Sequence, residues 1–165
     1  MTPTRTAPTA PETHVDTPEG APVMTTVAVI EAPIAAVRRA CVEADLLVRW
    51  WGPQELTSRV ETWEPRAGGS WRIVHADPSG EEYGFHGVFH DVTDTQVVWT
   101  FEFEGAPGNV SLQTFTLEDL GDGTTKVTDQ ALFQTEFARD MMADTGARDF
   151  APVGMSQLQT VAQSL

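Results

Sequence analysis

Over residues 56–133 the chain repeats one pattern: short runs of alternating apolar and polar residues, cut at close intervals by turn-forming residues. The runs cover 56–61, 70–76, 81–92, 96–103, 110–120 and 124–133. Between them lie Ala67-Gly68-Gly69, Asp77-Pro78-Ser79-Gly80, the stretch from Asp91 to Thr95, the stretch from Glu104 to Asn109, and Gly121-Asp122-Gly123. Gly, Pro, Asp and Asn at such points supply the backbone conformations of tight turns. Alternation with a period of two marks a strand with one buried and one wet face. Loops this short join antiparallel neighbours, because a parallel return needs a crossover of a dozen or more residues. The pattern predicts an antiparallel meander of six strands.

The flanks complete an α+β chain. Residues 24–30, rich in Val and Thr, read as a further strand. Pro33 opens a helix to about Val42, at a position where a missing N–H costs nothing, with Ile34, Val37 and Cys41 on one stripe. Asp45 is placed to cap a second short helix through Trp50, which Gly52-Pro53 ends. After the meander, Thr135 caps a helical stretch with Glu136 in its first turn, and Gly146 interrupts it. Ala147, Ala151, Gly154, Leu158, Val161 and Leu165 then share one helical face. Pro152 fits there if Asp149 caps the final helix and leaves the proline in the first turn. A curved antiparallel sheet with this long C-terminal helix across its concave face satisfies the order. The small residues Ala151 and Gly154 leave room between helix and sheet, which predicts a cavity.

Residues 1–22 hold five of the 11 prolines, six threonines and almost no large apolar side chain. Such a segment cannot offset its ordering entropy, so a disordered tail is expected before a single domain over residues 23–165. Deleting residues 1–21 is then expected to move the thermal midpoint by no more than about 2 °C. The 24 acidic residues against 10 basic ones exclude the usual electrostatic footprint of nucleic-acid binding and disfavour an anionic membrane surface. No apolar run reaches the ~20 residues of a membrane span, and no secretory h-region opens the chain. With one cysteine, Cys41, no internal disulfide can form, and a cytoplasmic setting is expected.

Asp129 is the most informative single residue. Period two aims it inward with Val127 and Ala131, where a carboxylate is costly and its pKa rises. It is therefore a candidate acid–base group or ligand anchor, against the alternative of a bulge or a partner such as Arg72 or a histidine. His75, His86 and His90 lie on adjoining strands, but His86 and His90 sit about 13 Å apart along one strand, too far for one metal. No metal site or cofactor is expected; His86 alone, between Phe85 and Gly87, is a second catalytic candidate. Trp50 and Trp51 end a short helix at the expected cavity mouth, one to plug the core and one to line the opening. No G-x-S-x-G, Walker or G-x-G-x-x-G motif occurs.

Several segments carry a resemblance. They are Arg49-Trp50-Trp51-Gly52-Pro53, Pro65 to His75, Gly80 to Phe89, Val98 to Phe103, and Gly121 to Val127. In this order they resemble the activator-of-Hsp90-ATPase-homologue-like branch of the START/Bet v 1 (SRPBCC) superfamily, over about residues 23–165. The resemblance implies the helix-grip fold, in agreement with the order read above. Members usually have Gly then Trp where this chain has Phe150 and Ala151, and an aliphatic residue in place of Asp129. The ligand-lining candidates are Trp51, Trp71, Arg72, Tyr83, Phe85, Trp99, Phe101, Phe150, Gly154 and Leu158.

Three functions are expected, in this order. The first is binding of a small lipid-like or polycyclic molecule, as a carrier or sensor. The second is a cyclase/aromatase- or isomerase-like enzyme moving protons with Asp129, His86, Tyr83 and Arg72. The third is a co-chaperone or other partner-protein role, suggested by the family name. Oligomeric state stays open, a homodimer included.

Overall fold

The computed structural model describes residues 9–165. Its described residues form one sheet of eight antiparallel strands. These are β1 (Thr13–Asp16), β2 (Val23–Ile30), β3 (Thr57–Trp63), β4 (Ser70–Ala76), β5 (Glu82–Val92), β6 (Gln96–Phe103), β7 (Val110–Asp119) and β8 (Thr125–Leu132). The spatial order is β1-β2-β8-β7-β6-β5-β4-β3. The six predicted meander strands are all present, and the last of them closes onto β2, with Thr26 opposite Asp129. Register shifts between Val60 and Thr62 and between Phe89 and Asp91 put extra residues into β3 and β5. Such bulges bend a sheet and raise its twist, which gives this one its concave face.

Helices α1 (Ile34–Val42) and α2 (Ala44–Leu47) follow β2; α3 (Glu136–Met142), a π-turn (Ala143–Ala147) and α4 (Arg148–Gln163) follow β8. The fold is the helix grip expected. Thr135 caps α3 by accepting from the Ala138 N–H at 3.1 Å. Gly146 breaks the helical path with φ +122°, a conformation that only glycine adopts without strain. The start of α4 differs from the expectation. Asp149 does not cap it; the helix begins at Arg148, and Pro152 is its fifth residue.

The core lies between sheet and helices. Ile30, Val37, Leu47, Trp71, Ile73, Phe89, Val127 and Leu158 are all fully buried. Each such side chain contributes about 1.5–3 kcal/mol by burial. Trp50 adds a polar anchor, its indole N–H donating to the Ala40 carbonyl at 2.8 Å.

The expected tail needs correcting. Its residues 1–8 lie outside the described residues. Beyond them the chain is ordered: Thr13–Asp16 pair with Ala28–Thr25 of β2. The buried Arg139 donates to the carbonyls of Pro18, at 2.6 Å, and Ala21. Gln159 donates to the Thr9 carbonyl at 2.9 Å. Backbone pairing needs no apolar side chain, which is why composition did not reveal it.

Candidate functional site

Between α4 and the concave face lies a cavity of about 460 Å³. Its floor is a patch of three strands in register. Thr26, Asp129 and Phe115 stand side by side across β2, β8 and β7. Met24, Ala131 and Gln113 form the next row, and all six residues line the cavity. Trp99, Phe101 and Phe85 continue the wall on β6 and β5; Phe150, Ala151, Gly154 and Met155 of α4 close it from above. Two irregular segments complete the lining: Trp51 to Pro53 with Leu56, and Thr145 to Ala147 of the π-turn. The Gly146 break lets that turn fold over the cavity instead of continuing α3.

Trp51 is the hub of the aromatic wall. Its ring meets Trp71, Phe85, Trp99 and Phe101 with centroids at 5.8, 5.8, 6.4 and 6.1 Å. These are edge-to-face contacts, the arrangement favoured by the ring quadrupole. Gln157 of α4 holds this segment by donating to the carbonyls of Trp50 and Gly52, at 2.8 and 3.1 Å. Gly52 has φ +106°, and a Cβ there would stand 2.8 Å from the His75 ring.

Asp129 is the one acidic residue in the lining. Its Oδ1 is buried and has no hydrogen-bond partner among the described residues. Desolvation pushes its pKa up to about 6. Cys41 of α1 also lines the cavity, and burial, reinforced by the Asp129 charge, pushes its thiol well up. His75 is the histidine that faces inward: it is buried, shares a 2.8 Å hydrogen bond with Ser58, and burial lowers its pKa. Gln113 is occupied, accepting from the Trp99 indole at 3.0 Å. Among the described residues no three His, Cys, Asp or Glu side chains gather as metal ligands.

The family model described as Activator of Hsp90 ATPase homolog 1-like protein matches residues 31–162. The chain belongs to that family. Solved structures agree on the fold. A protein from Arthrobacter aurescens, solved by solution NMR, superposes with TM-score 0.83 at 24% identity, over 92% of each chain. A crystal structure from Rhodobacter sphaeroides gives 0.83 at 20%, over 93% of this chain and 100% of the other. A Mycobacterium smegmatis crystal structure gives 0.79 at 21%, over 90% and 94%. No curated protein matches this chain. The fold is thus shared with these solved structures.

The cavity gathers seven of the residues predicted for it: Asp129, Trp51, Phe85, Trp99, Phe101, Phe150 and Gly154. Both Trp50 and Trp51 line it, although only one was expected to. Five candidates fall elsewhere. His86 and Arg72 face each other across β5 and β4 on the convex side. There Arg72 binds Glu61 and, at 2.7 Å, Glu104, while His86 lies 3.3 Å from Glu102 and 3.2 Å from Glu104. The Arg72 guanidinium holds Glu104 down at about 2. His86 and Arg72 are therefore corrected from cavity groups to members of a surface ion-pair cluster. Trp71 and Leu158 are fully buried core behind the lining. Tyr83 shares the inward face but sits at the strand's end, its hydroxyl 3.4 Å from Asp77. At Gly154 the released space is filled: a Cβ would stand 2.9 Å from the Phe150 ring, so the glycine makes room for that side chain. The residues that sequence reasoning missed include His75, Phe115, Gln113, Thr26 and Met155.

Proposed function

We propose that this protein binds a small, largely apolar molecule in the cavity between α4 and the sheet, with Asp129 anchoring the ligand's single polar end. The observation that carries this reading is an aromatic-rich cavity of about 460 Å³ whose wall holds one carboxylate, half-buried, with a buried oxygen that has no partner among the described residues. Ligand sites of roughly 300–1,000 Å³ have this character, apolar walls with few polar groups that fix orientation. An unpaired buried carboxylate is a cost to the fold, and a ligand that donates to it offsets that cost.

A second reading, proton-transfer catalysis of the cyclase or isomerase kind, is favoured by the same Asp129, since a carboxyl group titrating at about 6 exchanges protons readily near neutral pH. The test of the first reading is uptake of an apolar fluorescent dye by the intact protein and by two variants, Gly154→Trp and Ala151→Trp. Both residues line the cavity. Filling it is expected to weaken dye binding at least tenfold in a folded variant, read by circular dichroism alongside. Unchanged affinity in both folded variants overturns the cavity as the binding site. Native mass spectrometry of protein from its own host separates the readings: recovery of one bound molecule that the protein leaves unaltered on incubation supports the carrier, conversion supports the enzyme.

A further inference from the structure

We propose that the molecule this cavity is built for carries a protonated amine, and that Asp129 is its counter-ion. This rests on the internal-ligand reading above and deepens it from an apolar molecule to a hydrophobic cation.

The wall contains no Lys or Arg among the described residues, so Asp129 is its one formal charge. Most of the neighbouring polar groups are engaged elsewhere. The Trp99 indole and Gln113 bond each other at 3.0 Å, the Trp50 indole serves the Ala40 carbonyl at 2.8 Å, and His75 is held by Ser58 at 2.8 Å. The Thr145 hydroxyl donates to the Met141 carbonyl at 2.6 Å. The protein therefore supplies no positive charge to Asp129, and the donors left over in the lining, the Thr26 hydroxyl and the Gln113 side-chain N–H groups, are neutral and make no bond to it. A neutral hydroxyl in the ligand would give the carboxylate one hydrogen bond and leave its charge buried. An ammonium gives both the bond and the charge, the combination a buried carboxylate requires.

The surroundings suit a cation in two further ways. Phe115 stands next to Asp129 in register, with the Trp50 ring 6.0 Å from it. An ammonium at Asp129 would thus lie beside aromatic rings, whose negative faces attract cations. The whole chain carries a formal charge of -14, so the field outside the mouth draws cations and repels anions.

Four probes of one shape decide the matter: naphthylmethylammonium, naphthylmethanol, methylnaphthalene and naphthylacetate, titrated into the full-length protein at pH 7.5 by calorimetry. The ammonium is expected to bind at least tenfold more tightly than methylnaphthalene, with the acetate weakest. Asp129→Asn is expected to erase the ammonium's advantage and leave methylnaphthalene affinity within about twofold; Asp129→Leu serves if the Asn variant does not fold. The proposal is overturned if naphthylmethanol or methylnaphthalene matches the ammonium on the native protein, or if the preference survives in a folded Asp129 variant. If none of the four binds, or if all bind equally well to a folded Ala151→Trp variant, the cavity reading itself fails and the proposal falls with it.

Discussion

Asp129 sets the clearest expectation for a single residue. Its folded pKa, about 6, lies above the ordinary carboxylate value, so the native state holds this proton more tightly than the unfolded chain does. Stability from this group is therefore lost as pH rises between about 4 and 6, and the full penalty persists above that window. Two pKa units correspond to about 3 kcal/mol, an upper bound for the effect. Asp129→Leu is expected to raise unfolding free energy by about 2–3 kcal/mol at pH 7.5 and by little at pH 4. Asp129→Asn gains less, because it leaves a buried amide unpartnered. Urea denaturation of the three proteins at both pH values checks this; equal stability at pH 7.5 would show that the carboxylate is solvated. The inward aim of Asp129 was legible from its place between Val127 and Ala131. The same rule, applied to Phe85 and Phe89, puts His86 outward, and applied to Trp71 and Ile73 it turns Arg72 outward and His75 inward. Strand phase alone thus separates the inward His75 from the outward His86 and Arg72. Gln113 carried the same signal, since it shares its phase with Phe115 and Leu117; Met155 had none, because a helix position looks the same whether it meets core or cavity.

At the scale of elements, strands could be read because each carries its own alternation and its own turn. Helix α4 could be read as a helix, but not its start, because nothing local distinguishes Asp149 as a cap from Asp149 as a second helical residue. That choice was made by the Gly146 break upstream. How α4 is fastened to the Trp50–Gly52 segment was equally hidden, since Gln157 makes its two bonds across 107 and 105 positions of sequence. Gln157→Met keeps the shape and removes both donors, leaving the Trp50 and Gly52 carbonyls without them. The expected cost is about 1–3 kcal/mol. Because those carbonyls belong to a segment that lines the cavity, the variant is also expected to release an apolar dye several-fold faster with smaller change in its on-rate. Stopped-flow displacement reads this, and an unaltered off-rate would mean that α4 does not hold that segment in place.

For the whole molecule, residues 9–21 pack against the sheet and the C-terminal helices. Removing residues 1–21 takes away β1, the carbonyls that satisfy buried Arg139, and the Thr9 carbonyl that receives Gln159. A loss of about 2–3 kcal/mol is expected, which for a chain of this size lowers the thermal midpoint by roughly 5–10 °C. Differential scanning calorimetry of the truncated and full chains decides between this and an unchanged midpoint. Stability is only half of what β1 does. The strand it covers, Val23–Ile30, has the sequence VMTTVAVI, without charge or proline. Uncovered, it would offer a row of free amides and carbonyls at a sheet edge, in a segment with the composition of self-associating strands. The four residues Thr13–Asp16 are a short, polar substitute edge, ending in a charge that discourages further addition. A proteolytic cut beyond Asp16 would convert a monomer-compatible surface into a template for aggregation, visible as growth in light scattering well below the melting transition.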